Sequence, residues 1–129
     1  MPGCRILIVD DDAESRSLLS EVLESNGFST TAVSDSKAAQ ETFDRGPAFG
    51  MVIADLRMPG GNGLDLLSSI RKRHSRVSIV LMSSFIAEAQ RRVAHELGVD
   101  ALLEKPFRLT ELIKTVTAIA ENRSVGVGG

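Results

Sequence analysis

Apolar and polar positions fall in blocks along this chain: five short apolar runs are separated by segments of helical period. The first run, Arg5-Ile6-Leu7-Ile8-Val9, precedes a stretch in which Leu18, Leu19, Val22 and Leu23 recur at the spacing of an amphipathic helix. Asn26-Gly27 ends that helix, since glycine tolerates the left-handed conformation of a C-terminal cap. Phe28 to Val33 predicts a second strand, polar enough to lie near a sheet edge. Ser34, Asp35 or Ser36 caps a second helix, which fades before Gly46-Pro47. The third run, Met51-Val52-Ile53-Ala54, ends at Asp55. A Pro-Gly-Gly-Asn-Gly loop at 59–63 then leads into a helix with Leu66, Leu67 and Ile70 inward. Val77 to Met82 is the fourth run, ending in Ser83-Ser84, and its helix carries Ala89, Val93, Ala94 and Leu97 inward as far as Gly98. The fifth run, Ala101-Leu102-Leu103, stops at Lys105-Pro106. A last helix buries Leu109, Leu112, Ile113, Val116 and Ile119.

Runs one, three and four are almost continuously apolar and rich in Val and Ile. Strands covered by helices on both faces need that pattern, whereas a strand with one wet face would alternate. Alternating strands and helices of this kind predict an α/β fold, a doubly wound five-stranded parallel sheet with helices on both faces. One domain over residues 1–122 is expected. After Glu121 the chain reads Asn-Arg-Ser-Val-Gly-Val-Gly-Gly, without periodicity, which predicts a flexible tail or an appended end at 123–129.

Composition narrows the function classes. The chain has 129 residues, a formal net charge of -2, 4% aromatic residues and neither Trp nor Tyr. It carries no electrostatic footprint for nucleic acid and few rings to stack bases. The basic run Arg71-Lys72-Arg73-His74, with Arg76, reads as the solvated C-terminal end of a helix. Cys4 stands alone, so no internal disulfide or Cys-based zinc site is available, and His74 and His95 have no companion ligand motif. No apolar run reaches the ~18 residues of a membrane span, and the N-terminus has no signal-peptide stretch, so a cytoplasmic location is expected.

Polar residues cluster where apolar runs end. Asp10-Asp11-Asp12 follow the first strand, Asp55 ends the third, Ser83 follows the fourth and Lys105 the fifth. In an open parallel sheet the carboxyl ends share one edge, where ligands bind at the reversal of strand order. Residues 10, 11, 55, 83 and 105 are therefore expected in one pocket. Carboxylates so gathered repel by about 4 kcal/mol per pair at ~4 Å and an effective dielectric near 20. Either one protonates or a cation holds them. Oxygen-only ligands suit a hard ion, and Mg2+ is the natural choice beside phosphate chemistry. Lys105 and Ser83 would add a positive charge and a hydroxyl donor for a phosphoryl group, and Asp55 is a nucleophile able to form an acyl phosphate. Taken singly, each residue has a plainer reading. Asp12 is a helix cap, Asp10 or Asp11 a turn residue, Ser83 a turn, Lys105 a solvated lysine, and Met58 and Met82 packing. Asp65, Asp100 and Glu104 read as surface charges.

The acidic pair in Ile-Leu-Ile-Val-Asp-Asp-Asp, the Asp-Leu-Arg-Met-Pro-Gly-Gly-Asn-Gly segment, the strand ending in Ser83-Ser84 and Glu-Lys-Pro-Phe occur in one order. Together they resemble the receiver domain of two-component response regulators over roughly residues 5–120. The resemblance implies a flavodoxin-like, CheY-like strand order of 2-1-3-4-5. It implies that Asp55 is the phosphoacceptor and a metal ligand, Asp11 the direct Mg2+ ligand, Asp10 a ligand through water, and the Arg57 backbone carbonyl a further ligand. Mn2+ could replace Mg2+. Ser83 becomes the switch hydroxyl, Lys105 the phosphate-binding lysine, and Lys105-Pro106 a cis peptide. The implied partners are a histidine kinase or phosphotransfer protein and a downstream output domain or protein. A homodimer through helix four, strand five and helix five is a further implication; membrane and direct nucleic-acid binding are not. Such a domain is a signalling switch that catalyses only its own phosphorylation and dephosphorylation, not an enzyme on external substrates. One departure stands out: Leu102 occupies the position where many receivers carry a switching aromatic. Arg57 and Phe85 each lie two positions past a site residue, and Phe85 either shields the acyl phosphate or packs on helix four. Two other readings compete. One is a haloacid-dehalogenase-type phosphatase using the Asp10–Asp12 spacing, for which the chain is short; the other is a degenerate receiver serving only as a binding module.

Overall fold

The computed structural model describes residues 4–46, 48–58, 61–74 and 76–128. Pro47 after the second helix, Pro59-Gly60 of the expected loop, and Gly129 of the expected tail lie outside them. The sheet strands are β1 (Arg5–Val9), β2 (Ser29–Val33), β3 (Met51–Asp55), β4 (Ser78–Ser83) and β5 (Ala101–Glu104). Helices α1 (Ala13–Ser25), α2 (Ser36–Arg45), α3 (Gly63–Arg73), α4 (Glu88–Glu96) and α5 (Leu109–Gly128) follow them in turn. The strands pair in parallel in the order 2-1-3-4-5, as the resemblance implies. Arg57–Met58 and Gly61–Asn62 form a separate short antiparallel pair.

Two-sided burial explains the unbroken apolar strands. Leu7, Val9, Val52, Ala54, Ile79 and Leu81 pack with Ala39 and Phe43 of α2, Leu66, Leu67 and Ile70 of α3, and Ala94 of α4. The alternate residues Ile6, Ile8, Met51, Ile53, Val80 and Met82 pack with Leu19 and Leu23 of α1 and with Leu112 and Val116 of α5. Successive side chains of a strand point to opposite faces, so each central strand feeds both cores. The polar β2 lies at the sheet edge, where one flank needs no apolar cover. Ile53→Ala should destabilise the fold by about 2–5 kcal/mol, the cost of emptying a closed core site, measurable by urea denaturation.

Helix ends follow their signals. Asp12 caps α1 and accepts from Glu14 N; Asp35 caps α2 and accepts from Ala38 N. Gly27 and Gly98 take positive φ just past α1 and α4. Helix faces depart from expectation in three places. Leu18 is 48% exposed because the inward repeat of α1 runs through Leu19, Val22 and Leu23. Ala89 is exposed and Val93 is 42% exposed. Ala94 and Leu97 of the expected set do face the core, Ala94 buried and Leu97 packed against it. At the end of the chain α5 continues as helix through residues 123–128. A helix already nucleated extends at one hydrogen bond per residue, which outweighs the weak propensity of Gly126 here.

Arg71 does more than solvate a helix end. Its guanidinium donates to the carbonyls of Leu97, Gly98 and Val77 and so ties α3 to the end of α4 and the start of β4. Arg73 conforms better to the expectation, making an exposed pair with Asp44. Asp100 is exposed yet accepts from Ile79 N at 2.7 Å, bridging into β4.

Candidate functional site

The edge formed by the carboxyl ends of β1, β3, β4 and β5 brings the strand-end residues together. Asp55 is the last residue of β3 and is almost fully buried. One of its oxygens, Oδ1, accepts from Arg57 N at 3.1 Å; the other, Oδ2, accepts from Lys105 Nζ at 2.5 Å. This pair links residues 50 positions apart. Lys105 follows β5, its own N–H donates to Ser83 O at 2.8 Å, and its peptide bond to Pro106 is cis.

Burial opposes charge on Lys105, but the hydrogen bond and charge of Asp55, with the charges of Asp10 and Asp11, outweigh it and raise its pKa above 10.5. Three carboxylates, from the ends of two strands, thus act on one ammonium. A raised lysine pKa means that the pairing stabilises the fold fully below the unfolded value. That contribution fades only as alkaline pH passes the folded value. Across neutral pH the ammonium is present.

Asp10 is fully buried and Asp11 exposed. The Asp10 carboxylate accepts from Asp12 N at 3.0 Å and from the Ser15 hydroxyl at 2.6 Å, and its carbonyl accepts from Arg16 Nη1 at 2.7 Å. Ser83 is buried. Its hydroxyl donates to Phe85 O and accepts from Phe85 N, so it is engaged by its own loop. Phe85 itself is 62% exposed. Leu102, at the expected aromatic position, is half-buried and packs against the core beneath α2, α3 and α4. Arg57 is exposed and opens the short antiparallel pair.

Sequence reasoning missed Ser15, Arg16 and Gly63. Nothing in the spacing marks the first two. For Gly63 the signal was a helix opening on glycine. A Cβ there would collide with Asp55 O and stand 3.0 Å from Leu56 Cα, while Gly63 N donates to Leu56 O at 2.7 Å. Glycine is therefore what lets α3 start directly against the backbone of Asp55. Gly63→Ala should cost about 1–3 kcal/mol as an overpacking change, read from its urea midpoint, and should displace Asp55.

Among the described residues no three His, Cys, Asp or Glu side chains are already gathered as ligands of one ion. The donors that do face this edge are nevertheless carboxylate and backbone oxygens. They fit a hard, oxygen-preferring cation and offer nothing to a soft one. A phosphoryl group on Asp55 would meet the Lys105 ammonium at once.

A family model described as the response regulator receiver domain matches residues 6–117. The transcriptional regulatory protein CpxR of Escherichia coli (strain K12) is 36% identical over 115 residues, which cover 89% of this chain and 48% of that protein. The alkaline phosphatase synthesis transcriptional regulatory protein SphR of Synechococcus elongatus is 33% identical, covering 92% and 49%. This chain thus spans about half the length of these relatives. Among solved structures, the non-phosphorylated HemR receiver domain of Leptospira biflexa superposes with a TM-score of 0.84 at 30% identity, covering 92% of this chain and 94% of that one. A receiver domain protein from Methanospirillum hungatei reaches 0.92 at 19% identity, covering 96% and 98%, a likeness of fold alone.

Proposed function

This chain belongs to the response regulator receiver domain family, and from that premise we propose that Asp55 is the residue that accepts the phosphoryl group. The domain is a phosphorylation-activated switch of two-component signalling. The observation that carries the assignment is the Asp55–Lys105 pair, a nearly buried carboxylate and an ammonium charged across neutral pH, at the carboxyl-end edge of the sheet.

A carboxylate oxygen of Asp55 attacks the phosphorus of the donor. An O–P bond forms as the donor's bond to phosphorus breaks, and the leaving group departs with that electron pair and takes up a proton. Lys105 holds its charge beside the new phosphoryl oxygens. Mg2+, or Mn2+ in its place, would be held by Asp11 directly, Asp10 through water, Asp55 and the Arg57 carbonyl. When bound, it offsets the charge gathering on the phosphoryl oxygens. Ser83 exchanges its bond to Phe85 O for a phosphoryl oxygen and draws the loop before α4 with it. Leu102, lacking a ring, responds by repacking, so the face of α4, β5 and α5 is the output surface and a dimerisation surface. The switching unit is residues 1–122, with 123–129 outside it.

The donor is a histidine kinase or phosphotransfer protein, and the recipient an output domain or protein, in the cytoplasm. No described helix is long and apolar enough to cross a membrane. The domain turns over only its own phosphoryl group and binds no nucleic acid directly. A hydrolase using Asp10 as nucleophile finds no support, because that carboxylate is fully buried and the Lys105 ammonium is hydrogen-bonded to Asp55 instead.

The test is incubation with acetyl phosphate and Mg2+. The protein should gain one phosphoryl mass, labile to hydroxylamine and suppressed by a chelator; a mass unchanged with saturating donor would refute the assignment. Phe85→Ala should lose the phosphoryl group faster than wild type, since the exposed ring stands two residues from Ser83. An equal decay rate would remove the shielding role.

A further inference from the structure

Asp10 is held from three directions by one turn of helix. The Asp12 N–H donates to Oδ1, the Ser15 hydroxyl to Oδ2, and the Arg16 guanidinium to the Asp10 carbonyl. All three donors belong to the cap or first turn of α1. The backbone contacts fix where Asp10 sits; the plane of its carboxylate is set by the two contacts to its oxygens. Asp12 N–H is a backbone group tied to the cap, so Ser15 is the one side chain among these that fixes the rotation of the carboxylate. Each carboxylate oxygen accepts two hydrogen bonds, which leaves a free lone pair on both Oδ1 and Oδ2.

We infer that Ser15 is a positioning residue for the divalent-cation site: its hydroxyl holds Asp10 Oδ2 so that the remaining lone pairs face the waters of the bound ion. This rests on the reading above that Asp10, Asp11 and Asp55 hold Mg2+. Ser15 touches neither phosphoryl group nor metal and acts only through Asp10. Partners of direct ligands change metal affinity by about 10–100-fold when removed, and Ser15, acting on a carboxylate that binds through water, belongs at the low end of that range.

The experiment is titration of the unphosphorylated protein with MgCl2 alone, followed by amide NMR, beside thermal unfolding without metal. Ser15→Ala should bind Mg2+ about tenfold more weakly, with little change in metal-free melting. Ser15→Thr should restore wild-type affinity. Should the alanine variant unfold, the Thr and Val variants carry the test, since they share a shape and differ in the hydroxyl: Thr binds as wild type and Val does not. Wild-type affinity, or tighter binding, in Ser15→Ala or Ser15→Val overturns the inference while leaving the Mg2+ site standing. Failure of the wild type to bind Mg2+ overturns the site and the inference together.

Discussion

Asp55→Asn should abolish phosphoryl incorporation while leaving the fold intact. The amide matches the carboxylate in shape, and its oxygen can still accept from Arg57 N, as Asp55 Oδ1 does at 3.1 Å. What it loses is the anionic oxygen proposed to attack phosphorus, and no amide replaces that chemistry. Asp10 cannot stand in, since it is fully buried and the Lys105 ammonium is hydrogen-bonded to Asp55 rather than to it. Asp11 is exposed and has no ammonium hydrogen-bonded to it of the kind Lys105 provides at Asp55. Loss of the Asp55–Lys105 pair should change stability modestly, by roughly 1–3 kcal/mol for a hydrogen bond to a charged group, because Lys105 is one-third exposed and water can replace its partner. Intact-mass measurement after acetyl phosphate treatment checks the result. Retained, hydroxylamine-labile phosphate in the variant would move the acceptor to another carboxylate.

Lys105→Ala should slow acyl-phosphate formation by about 10²–10³-fold, the range found when one preorganised donor is removed from developing charge. The ammonium reaches Asp55 Oδ2 at 2.5 Å, and its raised pKa keeps it charged at any pH at which the reaction would run. It is in place before the donor arrives, so its help needs no reorganisation. The backbone of residue 105 should remain where it is, since its N–H is bonded to Ser83 O. Initial rates at saturating Mg2+ separate this loss from weaker metal binding. A rate within a few-fold of wild type would show that Lys105 acts after phosphorylation rather than during it.

The layout of the molecule was largely legible from its apolar runs. Ile6 to Val9, Met51 to Ala54 and Ile79 to Met82 are fully buried because each feeds two cores, and two-sided burial leaves an unbroken apolar signature. The same logic placed the polar β2 at the edge. Strand-end positions followed from parallel topology, and Asp10, Asp55, Ser83 and Lys105 do meet on one edge.

Helix orientation was less legible. In α4, Ala89, Val93, Ala94 and Leu97 offer two overlapping apolar stripes, and only packing chose Ala94 and Leu97. Arg71 takes part in that choice by gripping the carbonyls of Leu97 and Gly98. The bond from Ser15 to Asp10, the turn of the Ser83 hydroxyl toward Phe85, and the close approach of Gly63 to Asp55 depend on how a helix meets a strand end. One-dimensional spacing does not record such angles.

The most direct measurement is titration with beryllofluoride and Mg2+ of wild type and Asp55→Asn, followed residue by residue with amide NMR. The account predicts saturable, Mg2+-dependent shifts around residues 11, 55, 83 and 105 that spread through α4, β5 and α5 and are absent in the variant. Shifts that persist in Asp55→Asn, or no shifts in wild type, would contradict it.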